Sequence, residues 1–160
     1  MRVKVCGITQ EEQLLQLPGA GVSFAGFIFY PKSPRYALRT MTTGQIKKEN
    51  KLNKVGVFVN ASVEEVLQMV DECRLHMVQL YGDETPKFCE KIADYISVVK
   101  AFRFSETDNI GYRIQEYMDY CDMFMFDTEG VGYGGTGKKF NVEKLHNVAV
   151  GKPYFLSGMI

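Results

Sequence analysis

Seven short apolar runs, rich in β-branched and aromatic residues, punctuate the chain: VKVCGI (3–8), FAGFIFY (24–30), KVGVFV (54–59), HMVQLY (76–81), SVVKAF (97–102), CDMFMFD (121–127) and PYFLSG (153–158). Most are apolar almost without interruption. A strand wet on one face alternates apolar with polar residues, so continuous runs of this length predict strands covered on both faces, the condition of a parallel sheet. The intervals carry helical signals. In ASVEEVLQMVDECRL (61–75), Ser62 is an N-cap with Glu65 three residues on as its capping-box partner, and Val63, Val66, Leu67 and Val70 make one apolar stripe. In DETPKFCEKIADY (83–95), Asp83 or Thr85 caps and Pro86 sits near the first turn, where a missing N–H costs nothing. FNVEKLHNV (140–148) adds a short helix capped by Asn141. Strands spaced roughly 20 to 30 residues apart with helices between them are βαβ units, which join parallel strands.

Bulk properties narrow the class. A length of 160 residues at 46% hydrophobic is enough for one core and short for two full domains, so a single domain over 1–160 is expected. Nineteen basic residues balance nineteen acidic ones and are scattered, which argues against a nucleic-acid partner. The N-terminus MRVKVCGITQ lacks a signal-peptide core, and no window approaches the roughly 20 apolar residues of a membrane span, so a cytoplasmic protein with no membrane partner is expected. Cys6, Cys73, Cys89 and Cys121 form no C-x-x-C pair and suggest neither a zinc site nor a disulfide framework. Cys73, Cys89 and Cys121 read as small buried hydrophobes, and His76 and His146 as structural.

Parallel βαβ chains close into two architectures, the open doubly wound sheet and the (β/α) barrel, and both bind ligands at the carboxyl ends of strands. Those ends are polar or glycine-rich here: Cys6-Gly7-Ile8-Thr9, YPKSPRY (30–36), Asn60, Gly82-Asp83, Asp127 with the glycines after it, and Ser157-Gly158. A ring of such ends suits a barrel mouth better than the single crevice of an open sheet. One of them, DTEGVGYGGTGKKF (127–140), contains GYGGTGK and so matches the G-x-x-x-x-G-K spacing of a phosphate-binding P-loop. The pattern requires Ser or Thr after the Lys and a helix starting there, whereas Lys139 and Phe140 follow and the nearest cap is Asn141. Five glycines between 130 and 137 fit a lid over the barrel mouth better than an ATP cradle.

The segments KVCGIT, GFIFYPKSPRY, VGVFVN, VQLYGDE, VKAFR and FDTEGVGYGGTGKKFN, in this order and spacing, resemble the phosphoribosylanthranilate isomerase family of tryptophan biosynthesis through nearly the whole chain. FYPKSPRY together with DTEGVGYGGTGK is the specific part of the match. The resemblance implies a (β/α)8 TIM barrel of the ribulose-phosphate-binding type, about seven of whose strands are present here. It implies a cofactor-free isomerase for a phosphosugar, N-(5-phosphoribosyl)anthranilate, acting by an Amadori rearrangement. That chemistry needs an acid to protonate the furanose ring oxygen and a base to take the proton from the neighbouring sugar carbon. By resemblance Cys6 is the base and Asp127 the acid, Arg35 grips the anthranilate carboxylate with its guanidinium fork, and Ser157 and Gly158 contribute to the phosphate site. No metal is implied. Whether the protein is a monomer or a homodimer is left open by the residues.

The chain also departs from the family pattern. Tyr81 stands where the family usually has His, keeping a hydrogen-bonding group without near-neutral titration, and Met159 follows Gly158 where a second glycine is usual. Past Ile160 the family pattern continues into an eighth strand, its helix and a second glycine loop, so the barrel is expected to be C-terminally incomplete. The alternative to an active isomerase is therefore a truncated, non-catalytic barrel fragment with weak phosphosugar binding. Indole-3-glycerol phosphate synthase, a related barrel, is a weaker rival, because its cyclisation relies on Lys and Glu where this chain presents Cys and Asp.

Overall fold

The computed structural model describes residues 1–105, 107–128 and 141–158. Strands β1 (Lys4–Cys6), β2 (Phe24–Ile28), β3 (Asn53–Phe58), β4 (Met77–Leu80), β5 (Ser97–Phe104), β6 (Met123–Thr128) and β7 (Tyr154–Leu156) fall inside the apolar runs or extend them by a turn's length at most. They form a seven-stranded sheet in chain order, and the pairs β1–β2, β2–β3, β5–β6 and β6–β7 are parallel. Helices α1 (Glu11–Gln16), α2 (Thr43–Lys48), α3 (Val63–Cys73), α4 (Pro86–Ala93), α5 (Ile110–Gln115) and α6 (Glu143–His146) lie between them. The chain clusters into two compact units, Met1–Gln79 and Leu80–Ile160.

The caps behave as their residue types dictate. Ser62 accepts the Glu65 amide and Glu65 reaches back to the Ser62 amide, closing the capping box that starts α3, and Thr85 rather than Asp83 caps α4, with Pro86 in its first turn. At α6 the cap is displaced by one residue: Val142 occupies the N-cap in helical conformation, while Asn141 Oδ1 accepts the Glu143 amide at 3.1 Å. Helices α1, α2 and α5 carry no strong periodic signal in the sequence, because each has only six residues and α2 and α5 include a glycine.

In the first unit Phe27, Val55, Phe58, Ile46 and Val66 are fully enclosed. Lys54, on β3, is also buried. Its ammonium donates to the carbonyls of Ile46 and Lys47 at 3.2 and 3.1 Å in the last turn of α2, where the Ile46 carbonyl also takes the Glu49 amide. Burial nonetheless pulls the Lys54 pKa below the usual lysine range. His76 brackets the same residue, accepting the Lys54 amide on Nδ1 and donating its own amide to the Lys54 carbonyl, each at 2.9 Å.

In the second unit, one face of β5 and β6 is aromatic. Phe102 meets Phe124 edge-on at 5.5 Å between ring centroids, Phe104 lies 5.8 Å from Phe126, and Tyr117 packs edge-on against Phe102 at 5.2 Å. Side chains alternate along a strand, so the registered pairs Ala101–Met125 and Arg103–Asp127 belong to the opposite face. Asp127 thus lies on the face of the sheet opposite the aromatic layer, and that face is buried as well.

Candidate active site

The sequence-predicted site residues fall in both units. In the first, Cys6 is the last residue of β1 and is half-buried. Its register partner on β2 is Gly26, and a Cβ there would stand 2.9 Å from the Cys6 sulfur, so the thiol occupies space that only glycine leaves open. The amides of Gly7 and Ile8 both donate to the Gly26 carbonyl, at 2.9 and 3.1 Å, which turns the chain away from β2 directly after the thiol. That turn puts Gly7 at φ +86°, a left-handed conformation, and its missing side chain makes room for Arg35: a Cβ on Gly7 would lie 2.8 Å from Arg35 Cδ.

Arg35 Nη1 donates to the Cys6 carbonyl at 3.2 Å, so the predicted base and the predicted carboxylate grip come together. The loop that delivers Arg35 is braced from behind. Ser33, buried between Lys32 and Pro34, accepts the Arg35 amide on Oγ at 3.1 Å. Arg39 donates to the carbonyls of Pro31, Ser33 and Pro34 at 3.4 to 3.5 Å. Prolines stiffen such a loop and remove backbone donors from it; the Ser33 carbonyl keeps the Tyr36 amide at 3.2 Å, and the guanidinium fork supplies several further donors at once. The SPRY segment was legible as a candidate from its motif; the bracing by Arg39, three residues after Tyr36, was not.

In the second unit Asp127, next to last on β6, is only 2% exposed. Its two oxygens have different donors. The Thr128 amide bonds Oδ1 at 2.8 Å, and the Tyr81 hydroxyl bonds Oδ2 at 2.7 Å. Tyr81 immediately follows β4 and is itself buried. The Arg103 guanidinium lies over its ring at 6.0 Å from the centroid and also pairs with Asp83 at 3.2 Å.

The turn after Tyr81 is held by a buried ion pair that sequence reasoning missed. Lys100 Nζ contacts Glu84 Oε2 at 3.0 Å and donates to the carbonyls of Leu80 and Gly82 at 3.3 and 2.8 Å. Glu84 Oε1 accepts the Gly82 amide at 3.2 Å, and the Tyr117 hydroxyl donates to the Glu84 carbonyl at 3.0 Å. Burial, with the neighbouring Cys89 thiol, pushes the Tyr117 phenol up to about 12, so it serves as a neutral donor. Both carbonyls flanking Tyr81 are therefore tied to one ammonium.

After β7, the Ser157 amide donates to the Phe126 carbonyl at 2.9 Å and Gly158 adopts φ 110°, reachable without strain only by glycine. The lid reading of the glycine-rich segment, which spans 129–140, lies outside the described residues, as does Met159. Cys73, Cys89 and Cys121 are buried, as their apolar settings imply. Burial and the neighbouring Glu72 push the Cys73 thiol up to about 11. The Cys121 thiol donates to Cys89, which raises Cys121 and lowers Cys89. No His, Cys, Asp or Glu cluster among the described residues could hold a metal ion, and no helix among them is long and apolar enough to cross a membrane.

Parallel strands in chain order, helices in the crossovers, and candidate side chains at carboxyl strand ends define a member of the (β/α)-barrel enzymes. Comparison with solved structures agrees: the phosphoribosyl anthranilate isomerase of Thermotoga maritima superposes with a TM-score of 0.86 at 33% identity, covering 100% of this chain and 78% of that one. A phosphoribosyl anthranilate isomerase solved in complex with reduced 1-(o-carboxyphenylamino)-1-deoxyribulose 5-phosphate matches with a TM-score of 0.72 at 28% identity, over 99% of this chain and 88% of that one. The N-(5'-phosphoribosyl)anthranilate isomerase of Phocaeicola vulgatus is 37% identical over 159 residues, 99% of this chain and 75% of the relative. The family model for N-(5'-phosphoribosyl)anthranilate isomerase matches residues 3–160, and the chain belongs to that family of TIM-barrel isomerases.

Proposed function

We propose that the protein converts N-(5'-phosphoribosyl)anthranilate into 1-(2-carboxyphenylamino)-1-deoxyribulose 5-phosphate in tryptophan biosynthesis, by an Amadori rearrangement with Asp127 as general acid and Cys6 as general base. Asp127 gives its proton to the furanose ring oxygen; the bond from that oxygen to the anomeric carbon breaks, and the nitrogen lone pair forms the imine. Cys6, as thiolate, then removes the proton on the adjacent sugar carbon, and the electron pair moves to give the enolamine, which tautomerises to the ketone. Arg35 is placed to bind the anthranilate carboxylate, and Ser157 and Gly158 the phosphate. Because the Ser157 amide already serves Phe126, its contribution to a phosphate would come from the hydroxyl.

The observation that carries this reading is Asp127: a carboxyl 2% exposed at a strand end, off the packed aromatic face, in the motif that defines the family resemblance. Buried carboxyls with specific partners at such positions are characteristic of acid–base sites. A relative at 28% identity is solved with a reduced form of the product, which supports the same substrate class here.

The test is the loss of substrate fluorescence on incubation with the purified protein. Turnover is expected, with Cys6→Ser and Asp127→Asn each reducing kcat by about 10²- to 10⁴-fold while leaving circular dichroism unchanged. A wild-type rate equal to buffer, from folded protein that still binds the reduced product analogue, would instead establish a non-catalytic barrel that binds phosphosugars.

A further inference from the structure

Within Asp127, the two carboxylate oxygens are served by donors of different kinds. The Thr128 amide on Oδ1 can only donate and cannot move, being backbone on the same strand. The Tyr81 hydroxyl on Oδ2 can donate or accept and can rotate about its C–O bond. A carboxyl that works as an acid exists in two states, protonated before transfer and ionised after it. A group this buried gains little from water in the ionised state, so the charge left behind must be met by protein donors already in place.

Tyr81 is held where that requirement arises. Its ring lies beneath the Arg103 guanidinium, which also pairs with Asp83, and the carbonyls before and after it are both bonded to Lys100, whose charge Glu84 balances. The phenol oxygen is thereby delivered to a fixed point 2.7 Å from Oδ2, with the backbone on both sides restrained.

We propose that Tyr81 is the positioning residue for the acid of this enzyme: its hydroxyl sets the orientation of the Asp127 carboxyl and donates to the carboxylate formed when Asp127 protonates the substrate. The inference rests on the isomerase reading above. Tyr81 gives up no proton of its own. The O–H bond that breaks is that of Asp127, its electron pair stays on the carboxylate, and the proton goes to the furanose ring oxygen; the Tyr81 O–H remains intact and shortens its hydrogen bond to the new charge.

The assignment predicts a signature that a purely structural tyrosine would lack. Tyr81→Phe keeps the ring and its contact with Arg103 but removes the hydroxyl. Turnover by wild type is measured first, and its absence would sink the isomerase reading rather than the role of Tyr81. With active wild type, Y81F is expected to lower kcat on the order of ten- to a hundredfold. KM and calorimetric affinity for the reduced product analogue should stay within about threefold. In an Asp127→Asn background, where no acid remains to be positioned, adding Y81F should reduce the residual rate by less than about threefold. A wild-type kcat in Y81F overturns the proposal, and so does an equal factor of loss in both backgrounds. Loss of analogue binding or of the folded circular dichroism spectrum assigns Tyr81 to structure and overturns it as well.

Discussion

The two units present their functional side chains by opposite means. In Met1–Gln79 the thiol of Cys6 is half-exposed and is placed by omission: glycines at 7 and 26 leave the room that Arg35 and the sulfur occupy, and the turn is set by backbone hydrogen bonds and the Arg35 contact with the Cys6 carbonyl. In Leu80–Ile160 the Asp127 carboxyl is buried and is placed by commission, through a phenol, an amide, and behind the phenol a buried ion pair tied to three backbone groups. Under the proposed roles, the base is the accessible group and the acid the enclosed one.

The sharpest way to break that contrast is thiol labelling of the native protein. Cys6 is expected to react within the mixing time of a maleimide or disulfide reagent, while Cys73, Cys89 and Cys121 wait for unfolding, on the order of 10³-fold slower or more for a domain of about 5 kcal/mol stability. The Cys73 thiol, raised to about 11, is unreactive at neutral pH even apart from its burial. Native labelling of either thiol in the second unit, read by peptide mass, would show that unit to be less closed than its side chains indicate.

Next in size is the buried ion pair. Lys100→Met leaves Glu84 enclosed without its cation and is expected to cost about 3–5 kcal/mol in denaturant unfolding. The loss should carry turnover with it, because the carbonyls around Tyr81 lose their common donor. The matching intervention in the first unit is milder. Gly26→Ala sets a methyl against the Cys6 sulfur and is expected to cost about 1–3 kcal/mol of overpacking. Its effect on turnover should be proportionally larger than on stability if the displaced sulfur is the proposed base. A Gly26→Ala protein with wild-type kcat would show that omission at this position is not what places the thiol.

The smallest effect is one of pH. His76 accepts the Lys54 amide on Nδ1 and so must be neutral there; the covering of that nitrogen and the Lys54 charge hold its pKa below the ordinary histidine value. The unfolded chain therefore takes up the proton first as pH falls. Stability from this contact is complete above the unfolded pKa of about 6.5 and is lost as pH drops through the lower folded value. A urea midpoint that declines below pH 6.5, and declines less steeply in His76→Asn, is the expected result.

Much of this was readable in advance, and unevenly. The strands were legible because a parallel strand is covered on both faces and so announces itself as an unbroken apolar run, as in SVVKAF. The longer helices were legible from Ser62 with Glu65 and from Thr85 with Pro86, since caps use residues adjacent in sequence. The six-residue helices were not, because a helix that short is stabilised by the sheet it packs on rather than by its own periodicity. Cys6, Arg35 and Asp127 were singled out as candidates from motifs and strand ends. Tyr81 stood out only as a departure from the family pattern, and nothing local to VQLYGDE indicates that its hydroxyl meets a carboxyl 46 residues away.

By itself, then, the sequence determined the βαβ rhythm and the polar strand ends, and it singled out a thiol, a guanidinium and a carboxyl as site candidates. Those follow from side-chain period and residue type, which are local properties. Tertiary structure alone decided that a glycine on β2 opens the space beside Cys6, that Arg39 braces the loop bearing Arg35, and that Tyr81 reaches Asp127. These are contacts between separate elements. Their partners are chosen by strand register and by which face each side chain takes, and neither is settled until the sheet has assembled.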